Sequence, residues 1–201
     1  MADRQRFETL LDELERWNRK VNLTAIHGRD RMWAAHIDDS LSALPLLEGR
    51  RILDVGTGAG FPGLPLAIAE PERHFTLLDG NNRKIMFVQH VAGLLGLDNV
   101  EPVRARMEDY APGQRFDTVI ARAVATVPRL LDNAGHHVGE DGVFVALKGR
   151  DPASETESLP AEWEYELRPL DVPGLAPGSR HAVLLHRAGR GKLKDRGNDD
   201  Q

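Results

Sequence analysis

The chain has 201 residues, no cysteine, and 26 Lys and Arg against 31 Asp and Glu, which gives a formal net charge of −5. The lack of cysteine excludes disulfide bonds, thiolate zinc sites and cysteine nucleophiles, and it is compatible with a cytoplasmic location. No stretch approaches the roughly 20 apolar residues that span a bilayer, so we expect a soluble protein with no membrane partner.

Charge is segregated along the sequence. Residues 16–31 hold five basic residues and one acid, and residues 180–196 hold six basic residues and one acid. Residues 151–171 hold seven acids and one arginine. The net negative charge argues against tight binding to naked nucleic acid, because proteins that bind it usually carry a basic excess. The two basic segments leave a local nucleic-acid surface open, with ordinary solvated faces as the alternative.

The N-terminal segment shows helical periodicity. Apolar residues recur at spacings of three and four over residues 4–20, and a second such pattern covers residues 32–44. We therefore predict a helical extension over residues 1–47. Trp17 and Trp33 lie on the apolar stripes, which favours packing in the core over stacking on bases.

Residues 48–188 alternate between short apolar runs and helical stretches. Strands are predicted at 51–55, 74–79, 99–105, 116–121 and 142–147, and helices near 63–69, 83–95 and 127–137. Such alternation predicts an α/β fold with a parallel sheet covered on both faces. Two closing strands are predicted at 163–170 and 180–187. The polar composition of residues 189–201 predicts a flexible tail.

A glycine-rich turn follows the first strand and opens a helix. Glycines there let the backbone turn tightly and approach a ligand, and a helix N-terminus offers free N–H groups. The spacing fits two kinds of site. Gly58, Gly60 and Gly63 match the dinucleotide fingerprint G-x-G-x-x-G. The run from Asp54 through Gly56, Gly58 and Gly60 matches D-x-G-x-G-x-G, the pattern of S-adenosylmethionine-dependent methyltransferases.

Two acids bear on that choice. Asp79 follows the second strand and could accept ribose hydroxyls from either ligand, so it does not discriminate between them. Asp54 precedes the glycines, where a negative charge favours a cationic sulfonium and ammonium and repels a pyrophosphate. The charge of Asp54 therefore favours S-adenosylmethionine as the cofactor.

Several segments together resemble one family. They are WNRKVNLTAI, AAHIDDS, VGTGAGFPGLPLAI, TLLD, VRARMED, ARAVA, ALKG and RHAVLL. In order and spacing, from about Trp17 to Leu185, they are similar to the 16S ribosomal RNA guanine-N7 methyltransferases, the RsmG or GidB family. The resemblance implies a Rossmann-like class I methyltransferase fold, with a seven-stranded, mostly parallel sheet ordered 3-2-1-4-5-7-6. It also implies methyl transfer from S-adenosyl-L-methionine to N7 of one guanosine of 16S rRNA in the small (30S) subunit.

The resemblance assigns expected site residues position by position. The expected catalytic residues are Arg122 and Lys148. The expected cofactor contacts are Asp54, Gly56, Gly58, Gly60, Phe61, Asp79, Met107, Glu108 and Arg122. The expected RNA contacts are Asn22, His36 and Arg180. The chain departs from the family pattern at Gly80-Asn81-Asn82, directly after Asp79.

Each of three assignments keeps a simpler alternative. Arg122 could be an ordinary residue at a strand end, and Lys148 could simply end the fifth strand. His36 has Asp39 and Ser40 three and four residues later, so a hydrogen bond on the helix surface would also explain it.

Methylation of guanine N7 makes few demands on the enzyme's side chains. N7 is an exposed lone pair that loses no proton on alkylation, so positioning and electrostatics suffice and no general base is needed. Because the methylated base is cationic, we expect the charge of Arg122 to face O6, a phosphate or the cofactor carboxylate. We expect a monomer without metal that acts on an assembled subunit or its precursor. The alternatives are an NAD-dependent oxidoreductase, a methyltransferase for small molecules or proteins, and a non-catalytic RNA-binding module.

Overall fold

One mixed sheet organises the residues that the structure describes. The structure is a computed structural model and describes residues 2–149 and 151–189. The strands are β1 Arg51–Val55, β2 His74–Leu78, β3 Val100–Val103, β4 Phe116–Arg122, β5 Val138–Lys148, β6 Trp163–Pro169 and β7 His181–Arg187. Their order is β3-β2-β1-β4-β5-β7-β6, as predicted. All neighbours pair in parallel except β7, which runs antiparallel to both β5 and β6.

Seven α-helices accompany the sheet in the described part of the chain. They are α1 Ala2–Asn18, α2 Arg29–Met32, α3 Asp39–Leu41, α4 Gly63–Ala69, α5 Asn82–Leu95, α6 Val127–Ala134 and α7 Ala153–Thr156. A π-helical turn, Trp33–Asp38, joins α2 to α3, and single 3-10 turns lie at Leu44–Leu46 and Gly135–His137. The helix predicted over residues 32–44 is observed as α2, the π turn and α3 in succession. The single-turn helix α7 is absent from the sequence prediction, because four residues carry no apolar period. The other predicted strands and helices are confirmed to within a few residues.

Local chemistry explains where α5 begins and ends. Asn81 caps its N-terminus by accepting the backbone N–H of Arg83 at 2.9 Å. Gly96 ends the helix with φ +61°. The departure Gly80-Asn81-Asn82 therefore supplies the cap that starts this helix.

The helical extension packs on the same core as one face of the sheet. Leu10, Leu11 and Leu14 of α1 are fully buried, in one cluster with Leu64 of α4 and Phe87 of α5. Each buried leucine contributes roughly 1.5–3 kcal/mol. A second cluster on the other face joins the sheet to α6. The extension is thereby packed against α4 and α5 on one face of the sheet.

The two N-terminal tryptophans pack as expected. Trp17 meets Phe87 edge-on with ring centroids 5.6 Å apart, and Trp33 meets Phe7 at 6.2 Å. Both rest partly buried against the core, which confirms the packing prediction. None of the described helices is long and apolar enough to cross a bilayer. All but the first residue of the predicted tail 189–201 lie outside the described residues.

Candidate active site

The glycine-rich turn after β1 requires residues without a side chain. Gly56, Gly58 and Gly60 have φ of +69°, +62° and +84°, a region that L-residues rarely adopt. A Cβ on Gly56 would lie 2.7 Å from Cγ2 of Val124, and one on Gly60 would lie 2.3 Å from Cδ1 of Leu64. A Cβ on Gly58 would meet only atoms 3.9 Å or more away. Gly58 thus leaves open space in front of the turn, where a ligand can approach the backbone.

The buried side chain of Asp54 holds this turn through hydrogen bonds. Its Oδ2 accepts the hydroxyl of Thr57 at 2.6 Å and the backbone N–H of Gly63 at 2.9 Å. Burial raises the pKa of Asp54 to about 6, although the hydrogen bonds from Thr57 and Gly63 and the charge of Arg122 act in the opposite direction. The side chain is sealed from solvent and does not line a cavity. Asp54 therefore shapes the turn directly, and an effect of its charge on a cofactor stays a prediction.

A cleft of about 310 Å³ opens above the turn at the carboxyl ends of β1, β2 and β4. It is lined by Leu23, His36, Gly56, Thr57, Gly58, Ala59, Phe61, Asp79, Lys84, Arg122, Ala123 and Val124. Five predicted cofactor residues therefore come together here: Gly56, Gly58, Phe61, Asp79 and Arg122. Asp54 and Gly60 lie behind the turn and support it.

Asp79 is held by backbone donors. Its Oδ2 accepts the N–H of Gly58 at 3.0 Å, and its Oδ1 accepts the N–H of Asn81 at 2.8 Å. The Nζ of Lys84 lies 3.7 Å from Oδ2. These contacts fix the carboxylate beside the turn at the edge of the cleft.

Two of the predicted cofactor contacts, Met107 and Glu108, are not in the cleft lining. Glu108 is exposed, with Oε1 3.7 Å from Nη1 of Arg106. The backbone carbonyl of Met107 lies 2.9 Å from Nε2 of His137, within hydrogen-bond distance. Contacts between these two residues and a cofactor stay a prediction.

His36 is buried, with only 6% of its surface exposed. Its ring stacks on Phe61 with centroids 4.5 Å apart, and its Nε2 lies 3.0 Å from the hydroxyl of Thr24. Burial and the charge of Arg122 lower its pKa to about 4, so the ring is neutral at pH 7. The alternative of a hydrogen bond on the helix surface is wrong, because Ser40 donates to the backbone carbonyl of His36 and the ring faces inward.

The loop between α1 and α2 reaches the cleft through Leu23. The amide of Asn18 holds this loop: its Oδ1 accepts from the N–H of Leu23 at 2.8 Å and of Thr24 at 3.0 Å, and its Nδ2 donates to the carbonyl of Thr24. Asn22 is exposed on the loop. The basic end of α1 is therefore connected to His36 through a short run of hydrogen bonds.

Arg122 stands at the end of β4 and bonds to the helical extension. Its Nη1 donates to Oδ2 of Asp39 at 2.7 Å and to the carbonyl of Ala35 at 3.0 Å. Its guanidinium carbon lies 5.6 Å from the centre of the Phe61 ring. Arg180, just before β7, donates from Nε to the other oxygen of Asp39 at 2.7 Å. Asp39 thus joins two predicted site residues, and sequence reasoning assigned it no role of its own.

Lys148 is occupied by a protein partner. Its Nζ donates to Oε2 of Glu155 at 2.7 Å and to the carbonyl of Ala125 at 2.6 Å. The same oxygen of Glu155 accepts the N–H of Val127, which begins α6. This ion pair fastens the loop after β4, so the geometry favours a structural role for Lys148 over the predicted catalytic one.

A second pocket of about 270 Å³ adjoins the cleft. It is lined by Ile26, Ala35, His36, Asp39, Arg122, Ala123, Leu147, Lys148, Gly149, Leu170, Arg180 and His181. The two cavities share His36, Arg122 and Ala123. Ala123 has φ +54° and is the one non-glycine residue at positive φ among those described. The shared wall therefore contains a strained residue, a feature that often accompanies functional sites.

Comparison with known proteins agrees with this geometry. Residues 3–183 match the family model described as GidB, rRNA small subunit methyltransferase G. The chain is 43% identical over 177 residues to ribosomal RNA small subunit methyltransferase G of Legionella pneumophila strain Corby, covering 88% of this chain and 84% of the relative. It is 40% identical over 188 residues to the Escherichia coli O1:K1 / APEC protein of the same name, covering 92% and 90%.

A solved structure shows the same fold at low sequence identity. The ribosomal protein L11 methylase from Lactobacillus delbrueckii subsp. bulgaricus aligns with a TM-score of 0.58 and 16% identity, over 75% of this chain and 76% of that one. The described architecture is therefore that of a class I methyltransferase.

Proposed function

The chain belongs to the rRNA small subunit methyltransferase G (GidB) family, and on that premise we propose that it methylates N7 of one guanosine of 16S rRNA in the small ribosomal subunit. The methyl donor is S-adenosylmethionine. One observation carries the proposal: the glycine-lined cleft and the second pocket meet at His36, Arg122 and Ala123. Two adjoining cavities suit a reaction in which a donor and an acceptor must meet at one point.

The residues of the first cleft fit the cofactor. Gly58 leaves the front of the turn open, the Asp79 carboxylate is fixed beside it, and Phe61 supplies an apolar surface. We assign ribose recognition to Asp79 and backbone contacts to Gly56 and Gly58. When bound, S-adenosylmethionine supplies an electrophilic methyl group on a sulfonium centre. The buried charge of Asp54 favours a cation at this place.

The side chains shared by the two cavities suit an acceptor that loses no proton. His36 is neutral at pH 7, and its Nε2 is engaged by Thr24. The carboxylate of Asp39 is engaged by two arginines. The arrangement therefore supplies fixed charges and shape, which is what alkylation of the N7 lone pair needs. Arg122, whose Nη1 is fixed, aligns the base or its phosphate as the positioned cation.

RNA recognition is assigned to the basic end of α1 together with the loop that follows it. Arg16, Arg19 and Lys20 are exposed there, and the loop carries Asn22. Because the whole chain has a net charge of −5, we expect these contacts to need the shape of an assembled subunit. We place the reaction in the cytoplasm and expect a monomer that needs no metal.

Two measurements test this function. In calorimetry, the purified chain is expected to bind S-adenosylhomocysteine and to give no heat with NADH. With labelled S-adenosylmethionine, it is expected to modify unmodified small subunits at least tenfold faster than a short hairpin of free RNA. Absence of S-adenosylhomocysteine binding would remove the cofactor assignment. Equal rates on subunits and hairpin would remove the proposed need for an assembled subunit.

A further inference from the structure

The second pocket has no assigned ligand, and Asp39 has no assigned role. We propose that this pocket receives the target guanine and that Asp39 positions the two arginines, Arg122 and Arg180, that contact it. The inference rests on the proposed function and deepens it, because it names the site of the acceptor base.

The arginines reach Asp39 from distant parts of the chain. Arg122 is 83 residues from Asp39 in sequence, and Arg180 is 141 residues away. Asp39 has a side chain only 7% exposed, and each of its oxygens takes one charge-assisted hydrogen bond of 2.7 Å. An arginine that moved away would leave the buried carboxylate of Asp39 with an uncompensated charge, which is unfavourable. The two guanidinium groups are therefore held in place beside Asp39.

Both guanidinium groups have N–H donors that the described chain does not use. Arg122 uses only Nη1, and Arg180 uses Nε for Asp39 and Nη1 for the carbonyl of Ser179. Within residues 2–149 and 151–189, Nη2 of each arginine therefore has no protein acceptor, and the same holds for Nε of Arg122. A guanidinium carries five N–H donors in a fixed plane. Since both side chains line the pocket, these donors are available to a ligand there.

Guanine has the complementary groups. Its O6 and the adjoining phosphates accept hydrogen bonds from arginine, whereas N7 must stay free to receive the methyl group. Asp39 offsets one of the two positive charges, which lessens repulsion of the cationic product. Ile26, Leu147 and Leu170 give the pocket apolar walls for the faces of a base. At about 270 Å³ the pocket suits one extruded nucleobase and not a paired stem.

Two histidines of the lining have a buried ring nitrogen without a partner among the described residues. Nδ1 of His36 and Nδ1 of His181 are buried, and neither has a hydrogen-bond partner in the described part of the protein. Both residues line this pocket.

Arg180 gives the cleanest test, because it lines the second pocket and not the cofactor cleft. We expect Arg180→Ala to lower kcat/KM on small subunits by roughly ten- to hundredfold, through the loss of charged hydrogen bonds. The Kd for S-adenosylhomocysteine is expected to stay within twofold of wild type. Arg180→Lys keeps the charge without the planar fork and is expected to restore only part of the loss.

Asp39→Asn tests the positioning role. We expect a fall in kcat of at least tenfold. In the double variant with Arg180→Ala, we expect the loss of kcat to be smaller than the product of the two single losses. Asp38→Asn is the matched control, because Asp38 is the neighbouring acid and lines neither of the two cavities. It is expected to keep the wild-type kcat.

The outcomes separate the two claims. If wild type transfers no methyl group to subunits, the proposed function fails and this inference fails with it. If wild type is active and Arg180→Ala and Asp39→Asn both keep its rate, only the present inference is overturned. It is also overturned if Arg180→Ala loses affinity for S-adenosylhomocysteine as strongly as it loses activity. The same holds if the loss of activity in the double variant equals the product of the two single losses.

Discussion

The two cavities are built by opposite means. The cofactor cleft is built around the glycine-rich turn, and the hydrogen bonds that Asp54 accepts there join residues at most nine apart in sequence. The second pocket is made of long side chains, held by ion pairs across 83 and 141 residues. We therefore expect the cleft to be disrupted by substitutions that add atoms, and the second pocket to be disrupted by substitutions that remove a charge. The following predictions test that difference.

Arg122 belongs to both cavities, so its loss is expected to have the largest effect. Removing one preorganised donor from an active site typically costs 10²–10³ in kcat, and we expect Arg122→Ala to lose about 10² or more. Single-turnover methyl transfer to small subunits measures this. Circular dichroism is expected to stay unchanged, because Asp39 keeps Arg180 as a partner. A folded Arg122→Ala variant with full turnover would remove Arg122 from the site.

Gly56→Ala tests the cleft by adding one carbon. The new Cβ would lie 2.7 Å from Cγ2 of Val124, and φ at this position is +69°. We expect affinity for S-adenosylhomocysteine to fall about tenfold and the free energy of unfolding to fall by about 1–2 kcal/mol. Gly93→Ala is the matched control, since Gly93 lies in α5 with nothing within 4 Å of its added Cβ. It is expected to stabilise the protein by about 0.5–1 kcal/mol. Equal effects of the two substitutions would contradict the account of the turn.

The charge beneath the turn predicts a pH dependence. Asp54 has a folded-state pKa of about 6, above its ordinary value of 3.8, so the folded protein holds this proton more tightly than the unfolded chain. The stabilising contribution is therefore complete below about pH 4 and is lost as the pH rises through 6. Asp54→Asn removes this titration. We expect the unfolding free energy of wild type minus that of the variant to fall by more than about 1 kcal/mol from pH 5 to pH 8. Urea denaturation at several pH values measures it, and a flat difference would show that Asp54 does not titrate this way.

Ala123 is expected to give the smallest effect. Its φ of +54° is strained for alanine and free for glycine, although glycine also raises the entropy of the unfolded chain. We expect Ala123→Gly to stabilise the protein by less than about 1 kcal/mol in urea denaturation. Destabilisation would show that the left-handed conformation costs little here and that the wall between the cavities is unstrained.

The same contrast explains what could be predicted from sequence. The turn and the acid beneath it, Asp54, could be predicted because both lie within one short segment, from Asp54 to Gly63. The alternation of strands and helices could be predicted from apolar periodicity, whereas the order of the closing strands came from the family resemblance. Neither route shows side-chain partners.

The missed features are long-range or lack a period of their own. Asp39 looked like a neighbour of His36 on a helix, and only the fold brings Arg122 and Arg180 to it. Lys148 looked available because its partner Glu155 lies on α7, a helix too short to leave an apolar pattern. Buried ion pairs between distant segments carry no local signature, so these roles required the structure.

The chemical identity of the modified nucleoside tests the account most directly. Unmodified small subunits are incubated with the purified chain and labelled S-adenosylmethionine, and the 16S rRNA is digested and analysed by mass spectrometry. The account predicts a single new 7-methylguanosine at one position, and none with Arg122→Ala. Label on another atom or another base, or the same product from Arg122→Ala, would contradict it.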